Sequence, residues 1–166
     1  MMEPRISQRK KEEFDPQVLD LARVARVASG GRRFRFRAVV VAGDGKGRVG
    51  IGVAKGKDVA QAVGKASQQA KKNLVTVPVA GHTIPHPVEA KFASSRVLLR
   101  PQREGRGMVA GGPVRVLCEK AGIKDISAKF LSRSHSKLNN AMAVMKAFAK
   151  LKETVTESSA HVDASD

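Results

Sequence analysis

The chain has 166 residues and is 42% hydrophobic, which is enough for sizeable cores and excludes wholesale disorder. Its 31 lysines and arginines against 15 acidic residues give a formal net charge of +16, which favours phosphate-rich partners, nucleic acid first and an anionic membrane second. A single cysteine, Cys118, excludes an intramolecular disulfide, and no apolar run approaches the ~20 residues of a membrane span, so we expect a cytoplasmic protein without a membrane partner.

The positive charge is unevenly placed along the chain. Ten basic residues and a single acid, Asp44, fall between Arg23 and Lys57, whereas residues 153–166 contain four acids and no lysine or arginine. Basic residues concentrated in one segment indicate a binding surface, although a basic surface that only keeps the chain soluble is the alternative. Residues 23–57 are therefore the first candidate for contact with a polyanion.

The chain begins with a polar segment, which is followed by a predicted strand. Residues 1–15 are mixed in charge and without periodicity, which predicts a mobile amino-terminal arm. Residues 18–27 have the composition of a strand, but their apolar side chains fall on both parities, which indicates either a bulge or burial on both faces. Gly30 and Gly31 then supply positive-φ positions for a tight hairpin.

The next strand alternates between apolar and basic side chains, and neighbouring residues of a strand face opposite sides. One face carries Phe34, Phe36, Ala38 and Val40, which we expect in the core, and the other carries Arg33, Arg35 and Arg37. Three arginines that project together suit the phosphates of RNA, and a solvated outer face is the alternative. Arg32 and the adjoining glycine turn favour RNA.

A second glycine-rich turn, residues 43–47, leads to a third strand in which apolar residues again alternate. Asp58 is placed to cap a following helix, whose apolar positions recur at helical spacing as far as Leu74. Two hairpins and this helix predict an α+β unit in which one helix covers one face of a three-stranded antiparallel sheet.

Prolines at positions 78, 85 and 87 mark the crossing to a second unit. Two strands precede a glycine-rich loop at residues 102–112, and Pro113 and Gly122 bound a short helix. A strand at 126–131 and a helix that begins after Ser136 complete a second α+β unit. We therefore predict a mobile arm at residues 1–15, domains at 16–80 and 81–152, and a disordered acidic tail at 153–166.

Three sequence features resemble parts of cofactor, metal or catalytic sites, but their context does not support such a site. Residues 45–50 match the pattern GxGxxG but lie between two strands, whereas dinucleotide binding needs a helix amino terminus. His82 and His86 lack accompanying zinc ligands, and Cys118 falls on the apolar stripe of its helix. We expect no catalytic residue, no cofactor and no metal.

Aromatic residues are few. Six phenylalanines without tryptophan or tyrosine leave little surface on which single-stranded bases could stack. Recognition of the phosphates and shape of folded RNA fits this composition better.

Five segments carry a family resemblance: residues 30–34, 39–50, 83–86, 95–99 and 109–115, or GGRRF, VVVAGDGKGRVG, TIPH, SRVLL and VAGGPVR. In their order and spacing, within a stretch from about Phe14 to Leu151, they resemble the family of the fifth protein of the bacterial small ribosomal subunit.

The resemblance implies a double-stranded-RNA-binding-like first domain and a second domain with the α+β fold named after this family. It also implies a single copy that binds small-subunit rRNA, contacts the fourth and eighth small-subunit proteins, and lies near the decoding region and the channel through which mRNA enters. Its first hairpin loop, here residues 26–33, reaches rRNA. Gly107 and Arg115, with the adjoining Arg106, fall in the surface that faces the fourth protein.

We therefore expect a structural rRNA-binding protein, not an enzyme, that supports subunit assembly, translational accuracy and the entrance of mRNA. The expected rRNA-binding residues are Arg23, Arg26, Gly30, Gly31, Arg32, Arg33, Arg35, Arg37, Lys46, Arg48, Lys55 and Lys57. Two alternatives stay open. One is a small phosphotransferase, because a family of small-molecule kinases uses a fold similar to the second domain, and the other is a free RNA chaperone.

Overall fold

The computed structural model describes residues 14–152 of the chain. Its elements are β1 (Asp15–Ala28), β2 (Gly31–Gly43), β3 (Arg48–Gly56), α1 (Val59–Lys72), β4 (Leu74–Thr76), β5 (Val88–Phe92), β6 (Ser95–Pro101), β7 (Met108–Val109), α2 (Gly112–Ala121), β8 (Ile126–Phe130) and α3 (Lys137–Lys150). The predicted tail and residues 1–13 of the predicted arm lie outside the described residues, whereas Asp15, assigned to that arm, already begins β1. Within residues 14–152 no helix has the length and apolarity to cross a membrane.

The first sheet is antiparallel, with strand order β1-β2-β3-β4, and α1 packs on one of its faces. Strand β4 is absent from the sequence prediction, which extends the helix to Leu74. The helix instead ends at Lys72, and Leu74 pairs with Gly50 of β3. The predicted three-stranded sheet therefore has a fourth, short edge strand, whose valine and threonine have high strand propensity.

Glycines of β3 and alanines of α1 bring the helix close to the first sheet. A Cβ atom built on Gly52 would lie 1.9 Å from the carbonyl oxygen of Ala66, and one built on Gly50 would lie 2.3 Å from that of Ala70. Side chains larger than a hydrogen atom cannot occupy these two positions unless the helix moves. The contact is consequently one of backbone against backbone.

The second sheet has strand order β5-β6-β8-β7, antiparallel except for the parallel pair of β7 and β8. The two-residue β7 is also missing from the prediction, because it is too short to produce a period-two pattern. Helix α2 ends where predicted. Gly122 has φ +81°, and the N–H of Ile123 donates to the carbonyl of Cys118 at 3.0 Å.

One hydrophobic core joins the two sheets. The face of the first sheet opposite α1 contributes Val39 and Val41, which are fully buried in the same cluster as Leu117 of α2 and Phe148 of α3. The strand face that bears arginines near the hairpin therefore becomes apolar from Val39 onward. The first sheet is covered on both faces, by α1 on one side and by the second unit on the other.

The core prediction for β2 is right only where α1 covers the strand. Ala38 and Val40 are fully buried and Phe36 is half-buried, but Phe34 is 48% exposed, so its assignment to the core is wrong. Phe34 lies beyond the last residue of β2 that pairs with β3.

Candidate nucleic-acid interface

The first hairpin projects beyond the rest of its sheet. Strand β1 pairs with β2 along its length, with a register shift between Val18 and Asp20 that confirms the bulge among the predicted alternatives. Strand β3 pairs with β2 only as far as Phe36. Within the described chain no third strand pairs with residues 23–35, a two-stranded ribbon that we term the hairpin arm. At ~3.3 Å per residue it extends roughly 17 Å past Phe36.

The tip of the hairpin arm is a two-residue turn. Ala28 pairs with Gly31, so Ser29 and Gly30 make the turn. Gly31 has φ +119°, but Gly30 is not among the glycines with positive φ in the described chain. The prediction that both glycines adopt positive φ is therefore right for Gly31 and wrong for Gly30.

The hairpin arm carries five arginines and no acidic residue: Arg23, Arg26, Arg32, Arg33 and Arg35, all of them exposed. Residues paired directly across two strands share a face, and Arg26 pairs with Arg33 while Arg35 pairs with Val24. Arg26, Arg33 and Arg35 therefore project together, and we call this side the arginine face. With Lys55 of β3 they line a cleft of about 490 Å³.

Two further cations lie where the arginine face meets the second unit. Nη2 of Arg37 and Nζ of Lys137 both contact the Asp20 carboxylate, at 3.5 Å and 3.6 Å. The half-buried Arg37 belongs to the predicted binding set, and the carboxylate partly neutralises it. Its Nε has no hydrogen-bond partner within residues 14–152. Sequence reasoning missed Asp20, since nothing in the local pattern places it against α3.

The opposite side of the hairpin arm is different in character. The Arg23 guanidinium lies over the ring of Phe34, 3.7 Å from its centroid, and Val27 next to the tip is 75% exposed. Arg32 pairs with Val27 and so shares this side. We call it the Phe34 face. The predicted residues Arg23 and Arg32 therefore do not join the other three arginines of the arm.

The base of the hairpin arm adjoins the start of α1. Gly56 pairs with Phe36, so Lys57, which is exposed, follows immediately beside the arm. The Lys57 N–H donates to Oε1 of Gln61 at 3.1 Å. Asp58 occupies the predicted N-cap position, but its side chain makes no capping hydrogen bond in the described structure. Lys57 thus places a cation beside the helix amino terminus, where an anion is favoured, whereas Lys55 lies on the arginine face.

Lys46 and Arg48 lie at the other end of the first sheet, since β2 separates their turn from the arm's tip by roughly 40 Å at ~3.3 Å per residue. Their turn is docked on α2: the N–H groups of Gly45 and Gly47 donate to the carbonyls of Lys120 and Ala121, at 3.0 Å and 2.9 Å. The structure therefore does not bring these two predicted residues to the arm.

Asp44 organises that turn. Its Oδ1 accepts from the N–H groups of Lys46 and Arg48, and its Oδ2 accepts from Nε of Arg48 at 2.7 Å. Burial alone would raise the pKa of Asp44, but these donors and the guanidinium charge outweigh it, so the pKa lies below its ordinary value. Arg48 is thereby engaged within the protein, whereas the Lys46 side chain is exposed at the turn.

The three residues expected to face a protein partner lie on one loop and the helix that follows it. The N–H of Gly107, which has φ +76°, donates to Oδ1 of Asp125 at 2.6 Å, and Nη2 of Arg115 donates to the Met108 carbonyl at 2.9 Å. Arg106 is exposed beside them. Asp125 is only 4% exposed and was not singled out by the sequence pattern, although it is what fixes this loop.

The other residues considered for chemistry have structural surroundings. Cys118 is fully buried in α2, and burial raises the pKa of its thiol to about 12, so it remains protonated as a core residue. Nε2 of His82 lies 3.1 Å from a carboxylate oxygen of Glu104 on the surface. Among residues 14–152 no group of three or more potential metal ligands occurs.

Comparison with known families matches both halves of the chain. The family described as "Ribosomal protein S5, N-terminal domain" matches residues 14–78, and the family described as "Ribosomal protein S5, C-terminal domain" matches residues 90–160. The chain is also similar to the proteins named "Small ribosomal subunit protein uS5" from Campylobacter jejuni strains 81-176 and RM1221. Each is 48% identical over 142 residues, which are 86% of this chain and 96% of the relative.

Proposed function

The chain belongs to the ribosomal protein S5 family, and on that premise we propose that its hairpin arm binds rRNA through the arginine face. The family is one of structural ribosomal proteins and not of enzymes. Its relatives are named as small-subunit proteins, which makes this chain a ribonucleoprotein component that acts in translation, in the ribosomes of the cytoplasm.

The observation that carries the proposal is the geometry of the hairpin arm. Arg26, Arg33 and Arg35 project from a ribbon that stands clear of the shared core and of the small cluster under α1, and the arm offers no acid to neutralise them. Guanidinium groups bind phosphate oxygens in bidentate fashion, and a projecting ribbon can follow a groove or a junction between helices. Lys55 adds to the same charge on the arginine face, and Lys57 extends it toward the start of α1. Arg37, next along this face, is partly neutralised by Asp20.

The remaining binding residues serve separate contacts in this proposal. Gly30 and Gly31 let the tip approach RNA closely, because neither residue has a side chain that would stand between the backbone and a ligand. Lys46, with Arg48 beside it, provides a second RNA contact at the opposite end of the sheet. Arg23 and Arg32 act from the Phe34 face.

We also propose two domains, residues 16–80 and 81–152, that present separate surfaces from one shared core. The second presents the loop of Arg106 and Gly107 to a protein partner, and Asp125 and Arg115 hold that loop in a fixed shape. The fourth and eighth small-subunit proteins are the proposed partners. Subunit assembly, decoding accuracy and the entrance of mRNA are the proposed processes, since all of them depend on how rRNA and protein contacts are positioned.

Co-sedimentation with small ribosomal subunits tests the proposal. The double variant Arg33→Ala/Arg35→Ala should be depleted from the subunit fraction, because it removes two proposed phosphate contacts at exposed positions outside the hydrophobic core. Lys91→Ala/Lys129→Ala removes the same charge from exposed positions of the second sheet and is the matched control. Equal incorporation of the two variants would contradict the assignment of the arginine face.

Salt titration of the isolated protein on RNA gives a second measure. For ~6–10 phosphate contacts the affinity should fall by about 10³–10⁵ between low and moderate salt. The arginine double variant should flatten the slope of log K against log salt by about 1.5–2, whereas the control variant should leave the slope unchanged. A slope near zero for the unmodified protein would refute phosphate-driven binding.

A further inference from the structure

The Phe34 face of the hairpin arm packs against neither hydrophobic cluster of the described chain. Phe34 is 48% exposed, although Ala38 on the same side of β2 is fully buried under α1. Phe36 packs against the small cluster under that helix, but Phe34, two residues nearer the tip, is not among the residues that pack there. An aromatic ring held out on a narrow ribbon leaves apolar area in water, which is unfavourable unless a partner covers it.

The exposed ring is held in a defined arrangement. The Arg23 guanidinium stacks over it at 3.7 Å from the centroid, within the range of a cation–π contact. Arg23 comes from β1 and Phe34 from β2, so the ordered ribbon positions the two partners against each other. The result is a cationic, aromatic platform made of Arg23 and Phe34, with Arg32 on the same face.

We propose that this platform stacks an unpaired base of RNA while the arginine face binds phosphates on the other side of the hairpin arm. The proposal rests on the proposed function and adds a base contact to it. Every base has a flat π face, and stacking on an aromatic ring or a guanidinium plane is the usual way in which proteins hold splayed bases. The arm carries five positive charges and no negative one, so a polyanion complements it better than another protein surface does.

The occupant is an unpaired base rather than a paired stem. Bases within a duplex are stacked on one another and offer no free face to a side chain. A bulge or an internal loop combines a free base with closely spaced phosphates, which matches an arm that is apolar and aromatic on one side and basic on the other.

The test compares two short RNA hairpins of the same sequence, one fully paired and one with a single bulged adenine, as ligands of the full chain. The unmodified protein should bind the bulged RNA roughly tenfold more tightly. Phe34→Leu keeps an apolar side chain and should abolish this preference by weakening bulged-RNA binding alone. Val27→Ala, on the same face but outside the stack, is the control and should keep the preference. Arg33→Ala/Arg35→Ala should weaken both RNAs equally.

Tryptophan fluorescence tests whether the base lies against the side chain at position 34. The chain has no tryptophan, so Phe34→Trp creates a single reporter. Its emission should be quenched by the bulged RNA and unaffected by the paired one at equal occupancy. A preference that survives Phe34→Leu, or equal quenching by both RNAs, would overturn the proposal. If Phe34→Leu impaired incorporation into subunits but left both RNA affinities unchanged, the platform would be a protein-docking site and the proposal would also be wrong. Failure of the unmodified protein to bind either RNA would instead refute the proposed function.

Discussion

Individual glycines decide how closely α1 can approach the first sheet. Gly50 and Gly52 lie on the same side of β3, facing Ala66 and Ala70 of the helix. Their backbone angles are not in the left-handed region, so the restriction is purely one of space. Gly64, in the middle of the same helix, has no heavy atom within 4 Å of a built Cβ and is exposed.

Gly52→Ala should destabilise the protein by about 2–3 kcal/mol, because its Cβ would lie 1.9 Å from the Ala66 carbonyl oxygen and backbone must move to admit it. Gly64→Ala is the matched control and should stabilise by roughly 0.5–1 kcal/mol, since alanine restricts the unfolded chain and meets no obstacle. Urea unfolding of the two variants measures both effects. If Gly52→Ala were as stable as the unmodified protein, the close packing of α1 on β3 would be refuted.

The turn between β2 and β3 has a structural role that its sequence does not predict. Its sequence suggests phosphate binding, but two of its N–H groups donate to the last carbonyls of α2. Gly122 completes the fit, since a Cβ there would lie 2.1 Å from the carbonyl oxygen of Gly45. The turn thus satisfies backbone acceptors that the end of a helix otherwise leaves to water.

Asp44 provides a pH test of this docking. Because its pKa is below the ordinary value of 3.8 in the folded protein, the carboxylate stabilises the fold above about pH 4, and this stabilisation is lost as pH falls further. At pH 7, Asp44→Asn should lower the free energy of unfolding by about 1 kcal/mol. The difference from the unmodified protein should be smaller at pH 2–3 than at pH 7, because Asp44 loses its charge as the pH falls through its lowered pKa.

Urea unfolding at the two pH values measures this convergence. Asp58→Asn removes an equal charge from a side chain without a capping bond, and it should change stability by less than ~0.5 kcal/mol at either pH. A difference at Asp44 that is the same at pH 7 and at pH 2–3 would show that its charge does not hold the turn.

Most helices and strands can be predicted because the sequence pattern that identifies each one lies within the helix or strand itself. Alternation identifies β2 and β3, and Gly122 marks the end of α2 by a positive φ that favours glycine. The two short strands β4 and β7 depend on pairing with distant residues. Strand β4 has three residues and β7 has two, which is too few to show the alternation that identifies a strand.

The candidate site is less predictable than the fold. The sequence indicates correctly that Arg33 and Arg35 share a face, since alternation is local. It cannot reveal that pairing with β3 stops at Phe36, because that limit depends on where α1 begins. The exposure of Phe34 follows from this limit, and for that reason a sequence pattern typical of core assigns it wrongly.

At the scale of the whole molecule, one core serves both sheets. Val39 and Val49 of the first sheet are buried in the same cluster as Leu117 of α2. Lys120 of α2 also pairs with Asp15 at the start of β1. The hairpin arm and the loop of Gly107 are consequently both attached to one packed interior, so their relative position depends on that interior being intact.

Leu117→Ala should therefore loosen both sheets together. Leu117 is fully buried in the shared core, so the substitution should cost about 2–5 kcal/mol, and hydrogen exchange should show amides of β3 and of α2 losing protection to the same extent. Leu98→Ala, at a half-buried position of β6 that pairs with exposed Lys129, removes the same atoms and should cost less than half as much. Loss of protection confined to the second sheet would mean that the two units open independently, and the shared core would then be a contact without energetic coupling.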